Sequence, residues 1–149
     1  MKLTKYKKSL YQEDVYWFVS TGKQGDIYKG VLFQNMEDPD HPNWFNLAMG
    51  DINLKTGQME FEELSGNGDA RKVFSTIGDI VQEYTDIHPE REIFVSGNTE
   101  EKKRSYSFMT SWYLEEIKVN FDVWGADQGG EFEPFEKDKT YDAILVTRK

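Results

Sequence analysis

A chain of 149 residues with 27 acidic and 18 basic side chains, net charge −9, is long enough for one domain with its own core. A field of that sign repels phosphate backbones and argues against general nucleic-acid binding. The chain has no cysteine, which excludes a disulfide framework, a thiolate nucleophile and any zinc site using sulfur, and fits a reducing, cytoplasmic compartment.

Lys2, Lys5, Lys7 and Lys8 make the start basic, but Gln12, Glu13 and Asp14 follow instead of an apolar signal-peptide core. No apolar run approaches a membrane span. Asp14 to Ser20 carries Val15, Tyr16, Trp17, Phe18 and Val19 and predicts a strand buried on both faces. Residues Thr21 to Gly25 predict a hairpin turn into a strand from Ile27 to Phe33, with Ile27, Val31 and Phe33 on one face. Asn35 to Asn43, with Pro39 and Pro42 among acids, is a loop. A third strand spans Trp44 to Ile52. After Lys55-Thr56-Gly57, a fourth spans Gln58 to Leu64, its glutamates facing water.

The period then changes. Ala70, Val73, Phe74, Ile77, Ile80, Val81 and Tyr84 recur at helical steps, so an amphipathic helix starts behind an Asn67 or Asp69 cap and ends at His88-Pro89. Arg91 to Ser96 is a short strand. A second helix runs from Glu100 to Ile117 with Tyr106, Met109, Trp112, Tyr113 and Ile117 as its apolar stripe, capped by Asn98 or Thr99. Val119 to Trp124 and Tyr141 to Thr147 are the last strands, separated by an acidic segment anchored by Phe132 and Phe135. The order ββββ-α-β-α-ββ predicts a single α+β domain over residues 1–149. Its curved sheet is mainly antiparallel, with one parallel pair across the central strand–helix–strand unit.

Two strand-to-helix junctions are the candidate sites. At Gly66-Asn67-Gly68-Asp69, glycines let the backbone approach an anion closely and a helix start offers free N–H groups. The same residues also make an ordinary tight turn and cap, and neither a P-loop nor a G-x-G-x-x-G pattern is present. At Gly97-Asn98-Thr99, the Thr99 hydroxyl and Arg104 would clamp an anion, against a plain capping box with Glu100 and Glu101 on the helix dipole. Asp51 ends the third strand as a candidate ligand or a turn residue, and Lys72 follows the first junction. His41 and His88 lack a partner at metal-ligand spacing, so no metal site is expected, and no G-x-S-x-G elbow occurs. Trp17, Trp44, Trp112 and Trp124 read as core.

Several of these residues together carry a resemblance: Phe18 to Gly22 with Gly25 to Lys29, Asn46 to Asp51, Asn67 to Asp69 with Lys72-Val73, and Gly97 to Tyr106. Over most of its length the chain resembles an uncharacterised family of small bacterial domains, which implies no activity. That family's second junction reads glycine-serine-threonine, then arginine-threonine-arginine-leucine-tyrosine. Gly97, Thr99, Arg104 and Tyr106 match it, while Asn98, Lys102 and Ser105 depart. The element order of the C-terminal half is also similar to the acyl-CoA-binding half of GNAT acetyltransferases. That likeness would give Gly66 and Gly68 the pyrophosphate and Tyr106 or Tyr113 the acid's role. The basic residue opening the loop is replaced by Leu64-Ser65, and two early helices are missing.

The expectation is a small non-enzymatic binding domain without a cofactor, whose acidic surface engages a basic partner protein. The alternative is an acyl-CoA- or nucleotide-binding transferase. In that case Asp51, Gly66, Asn67, Gly68, Asp69, Lys72, Asn98, Thr99, Arg104 and Tyr106 surround the ligand.

Overall fold

The computed structural model describes residues 4–60, 67–97 and 99–149. Its elements are β1 Lys8–Gln12, β2 Val15–Gly22, β3 Gly25–Asn35, β4 Trp44–Ile52, β5 Met59–Glu60, α1 Ala70–Ile87, β6 Glu92–Ser96, α2 Glu100–Trp112, α3 Leu114–Ile117, β7 Phe121–Ala126, β8 Glu133–Pro134 and β9 Ala143–Arg148. The fold is α+β with mostly antiparallel pairing, as the element order implies. The strand expected over Gln58 to Leu64 is seen at Met59–Glu60, while Gln58 lies outside it and residues 61–66 lie outside the described residues. Two elements were not legible. β1 is short and polar, and the two-residue β8 sits in the acidic segment.

The chain divides into two compact units, Lys2–Gln34 with Ala48–Tyr84 (the hairpin unit) and Asn35–Leu47 with Thr85–Lys149 (the crossover unit). In the hairpin unit the strand order is β1-β2-β3-β4, with β5 on β4. β2 and β3 pair from Val15↔Leu32 to Gly22↔Gly25, so side chains of partnered residues share a face. Tyr16, Phe18 and Ser20 are buried on one face with their partners Val31 and Lys29, and so is Phe33. Ile80, Val81 and Tyr84 of α1 are buried in the same unit. The Tyr84 ring stacks on Phe33 with centroids 3.8 Å apart and meets Tyr16 edge-on, and its hydroxyl donates to Asp14.

In the crossover unit the order is β4-β6-β9-β7-β8. The β4–β6 pair, Trp44↔Glu92 to Asn46↔Phe94, is parallel, and the other pairs are antiparallel. Leu114, Val123, Phe135, Tyr141 and Ile144 form one core cluster, flanked by Tyr106, Ile117 and Val146. Trp44, Phe94 and Phe132 form a second ring cluster with centroids 4.7 to 6.3 Å apart. Phe132 and Phe135 thus anchor the acidic segment as expected.

The second helix departs from expectation in two ways. It is broken at Tyr113 (φ −106°, ψ 16°), which ends α2 before the single turn of α3. The expected Met109 and Tyr113 are buried and Tyr106 and Ile117 pack on the core, but Ser107, Thr110 and Ser111 share the buried side and Trp112 points to solvent, 54% exposed. The physical reason is close approach. The Ser107 hydroxyl accepts the Tyr141 N–H at 2.9 Å, and the Ser111 hydroxyl accepts the Asp138 N–H at 2.9 Å. Small hydroxyl side chains let α2 lie on residues 138–141 and satisfy that backbone. No helix among the described residues is long and apolar enough to cross a membrane.

Tyr141 also explains Gly125. A Cβ there would stand 2.5 Å from the Tyr141 ring. Gly125→Ala is therefore expected to cost about 1–3 kcal/mol by overpacking, read as a lower denaturant midpoint at unchanged m-value.

Candidate functional site

The first junction is held by its own side chains. Asn67 is 3% exposed. Its carboxamide oxygen accepts the Gln24 N–H at 2.6 Å, and its amide nitrogen donates to the Gly25 carbonyl at 2.9 Å and to Ser20 Oγ at 3.2 Å. Its own carbonyl accepts from Lys23 N at 3.4 Å. Gly22 has to be glycine for this, since a Cβ would sit 2.1 Å from the Asn67 carbonyl oxygen. The Asp69 carbonyl accepts the Val73 N–H at 2.9 Å, placing Asp69 at the α1 cap position. Its carboxylate accepts hydroxyl protons from Ser20 at 2.5 Å and from Tyr6. Gly68 (φ 74°) borders the Lys23 side chain, and Lys72 places its ammonium 4.1 Å from the Tyr6 ring centre.

Asp51, on β4, pairs with Lys29, Nζ to Oδ1 2.6 Å. Lys29 is 3% exposed, so this is a buried ion pair inside the hairpin unit. Asp51, Asn67, Gly68, Asp69 and Lys72 all belong to that unit. Sequence reasoning missed Ser20, Lys29 and Tyr6 beside them. Lys29 was readable, because it falls at the strand period between Ile27 and Val31 on their buried face.

The start of the chain is tied to α1 by charge. Lys5 bonds Asp79 at 2.8 Å, and Lys8 bonds Asp79 and lies 3.6 Å from Glu83. Burial pushes the Asp79 carboxyl up, but the hydrogen bonds and charges of Lys5 and Lys8 outweigh it and hold the group below its ordinary value. For Lys8 burial acts downward, and Asp79 and Glu83 outweigh it to raise the ammonium.

Thr99, Arg104 and Tyr106 of the second junction lie in the crossover unit. Thr99 is the cap of α2, its hydroxyl accepting the Lys102 N–H at 3.1 Å. Gly97 packs against the first turn, where a Cβ would meet Lys103 N at 2.7 Å. Lys103 bridges Glu100 at 3.3 Å and Asp142 at 3.1 Å. Arg104 is exposed. Tyr106 is half-buried, and that burial raises its phenol above the ordinary value. Asn98 and Gly66 lie outside the described residues.

One turn beyond Arg104, Phe108 is 58% exposed and stands beside Trp112, ring centres 5.8 Å apart. With Ser111, Lys137 and Asp138 these rings line an open groove of about 450 Å³.

Taken together these features define an α+β domain with a hydrogen-bonded polar core in one unit and an exposed aromatic groove in the other. The chain belongs to DUF6934, a family of unknown function, whose model matches residues 2–149. No curated protein and no solved structure matches it.

Two outcomes check this geometry. Lys29→Met takes the ammonium from the partly exposed Asp51 carboxylate and is expected to cost up to about 3 kcal/mol, below the range for a fully buried pair, whereas Lys29→Met with Asp51→Leu is expected to recover most of the loss. Chemical denaturation of the three proteins decides it. The second concerns acid. Asp79 has a folded value below its ordinary 3.8, so its contribution is present above that value and is lost as pH falls through the lower, folded one. Asp79→Asn should therefore flatten the fall in melting temperature below about pH 5 relative to the parent chain.

Proposed function

We propose that this domain is a non-enzymatic protein-interaction module, and that the outer face of α2 is its contact surface. The observation that carries the reading is the exposed Phe108–Trp112 pair at the groove. Large rings that remain in water side by side on a helix are the residues that anchor interfaces. The fold gives Trp112 no core role, because the hydroxyl face of α2 takes the buried position.

The groove lining itself carries Lys137 and Asp138, one charge of each sign, so the partner's charge follows from the sequence around it and from the chain's net charge. The segment after β7 carries Asp127, Glu131, Glu133, Glu136, Asp138 and Asp142 against Lys137 and Lys139, within a chain of net charge −9. A basic segment bearing one or two apolar side chains would be steered by that field and seated by the rings. At the helix starts required by the transferase reading, the Asn67 carboxamide, the Asp69 carboxylate and the Thr99 hydroxyl all make internal hydrogen bonds. These engagements lead us to favour the interaction reading.

A photo-crosslinking residue in place of Phe108 tests it in native lysate. The expected product is a basic polypeptide joined at that position, with yield falling as salt rises. Phe108→Ala and Trp112→Ala should each weaken binding of the identified partner by at least tenfold, with stability within about 0.5 kcal/mol of the parent. Binding untouched by both substitutions would remove this face from consideration.

A further inference from the structure

Tyr6 is held in the hairpin unit as a bound ligand is held. Its ring stacks on Phe18 (centroids 5.8 Å apart, planes 19° apart), and the Lys72 ammonium lies over the ring 4.1 Å from its centre. Its hydroxyl lies 2.5 Å from Asp69 Oδ2, 3.0 Å from the Thr21 N–H and 3.0 Å from the Thr21 carbonyl. A phenol has one proton and donates it to the carboxylate, the stronger acceptor, while accepting from the Thr21 N–H. Ring stack, cation over the ring, anionic acceptor and backbone donor together form a recognition set for a phenol.

The walls of this set stand without Tyr6. Phe18 and Thr21 are fixed in the β2–β3 ladder, and Asp69 keeps its bond from Ser20. Tyr6 itself lies outside every strand, since β1 begins at Lys8, and its N–H bonds to a side chain, Thr76 Oγ1, at 2.8 Å. Lys5 and Lys8 tether the segment to Asp79 by charge, and Lys8 also approaches Glu83. Detaching residues 5–7 therefore breaks no rung of the sheet.

We propose that the site walled by Phe18, Lys72, Asp69 and Thr21 recognises a para-substituted phenol, and that Tyr6 fills it in cis as a displaceable plug. The para position must carry the substituent because that is where the Tyr6 backbone leaves. A tyrosyl side chain of another polypeptide and a small para-alkyl phenol both meet that requirement.

The probe is p-cresol, with toluene as the control that lacks the hydroxyl, titrated by calorimetry into the full chain and two variants. Tyr6→Gly empties the site and is expected to bind p-cresol at least tenfold more tightly than either toluene or the parent chain does. Asp79→Asn keeps Tyr6 and removes only its tether. In that variant hydrogen exchange at residues 5–7 should quicken at least tenfold while β2 and α1 keep their protection, and p-cresol binding should rise above that of the parent. A capped Lys-Tyr-Lys-Lys peptide, titrated into Tyr6→Gly, separates the two ligand sources. Tighter binding than p-cresol assigns the site to tyrosyl chains, and weaker binding assigns it to small phenols. A folded Tyr6→Gly that takes up neither ligand overturns the proposal. So does an Asp79→Asn protein whose residues 5–7 exchange at the parent rate, a result that decides the matter even if Tyr6→Gly does not fold.

Discussion

The carboxamide of Asn67 is the constraint on which the hairpin unit depends. One planar group accepts from the turn at Gln24 and donates to Gly25 and to Ser20, so it fixes both sides of the β2–β3 turn at once. Hydrophobic contact between helix and sheet is nondirectional and would tolerate sliding. Buried hydrogen bonds would not, because each misplacement leaves a desolvated donor or acceptor unpaired. Asn67 therefore sets where α1 begins relative to the turn, and Asp69, two residues on, meets Ser20 and the Tyr6 hydroxyl as a consequence.

The same principle governs the other polar groups that each unit buries. Lys29 sits among Tyr16, Phe18 and Val31 on the apolar face, where an unpaired ammonium would be costly, and Asp51 neutralises it. In the crossover unit, Ser107 and Ser111 receive the N–H groups of an irregular segment that has no strand partner for them. In both units the polar groups specify position while rings supply the buried area.

What the sequence disclosed follows from which signals are periodic. The helix over residues 70–87 and the strand over 44–52 were legible because apolar residues repeat at 3.6 and 2. The second helix was legible as an element, and its expected stripe holds at Tyr106, Met109, Tyr113 and Ile117 but not at Trp112. Apolarity alone points Trp112 inward, whereas the neighbouring backbone places the hydroxyls of Ser107 and Ser111 on the buried side. Lys29 obeyed the strand period and was passed over because lysine is so seldom buried. The candidate residues Asn67, Asp69 and Asp51 all engage in internal pairings, but their partners Ser20, Tyr6 and Lys29 lie 22 to 63 residues away in sequence, and no local pattern carries such pairings.

The exposed ring pair of α2 bears on the proposed function more than any single contact does. Phe108 and Trp112 stay exposed on α2 while Ser107, Thr110 and Ser111 join Met109 on its buried side, which runs against the usual partition. Stability alone would be served equally by polar residues at both positions, as solvent-facing substitutions away from buried features usually change it little. Two adjacent rings on that face also raise the hazard of unspecific association. Under the proposed reading, the exposure of these two rings is accounted for by contact with something outside the chain.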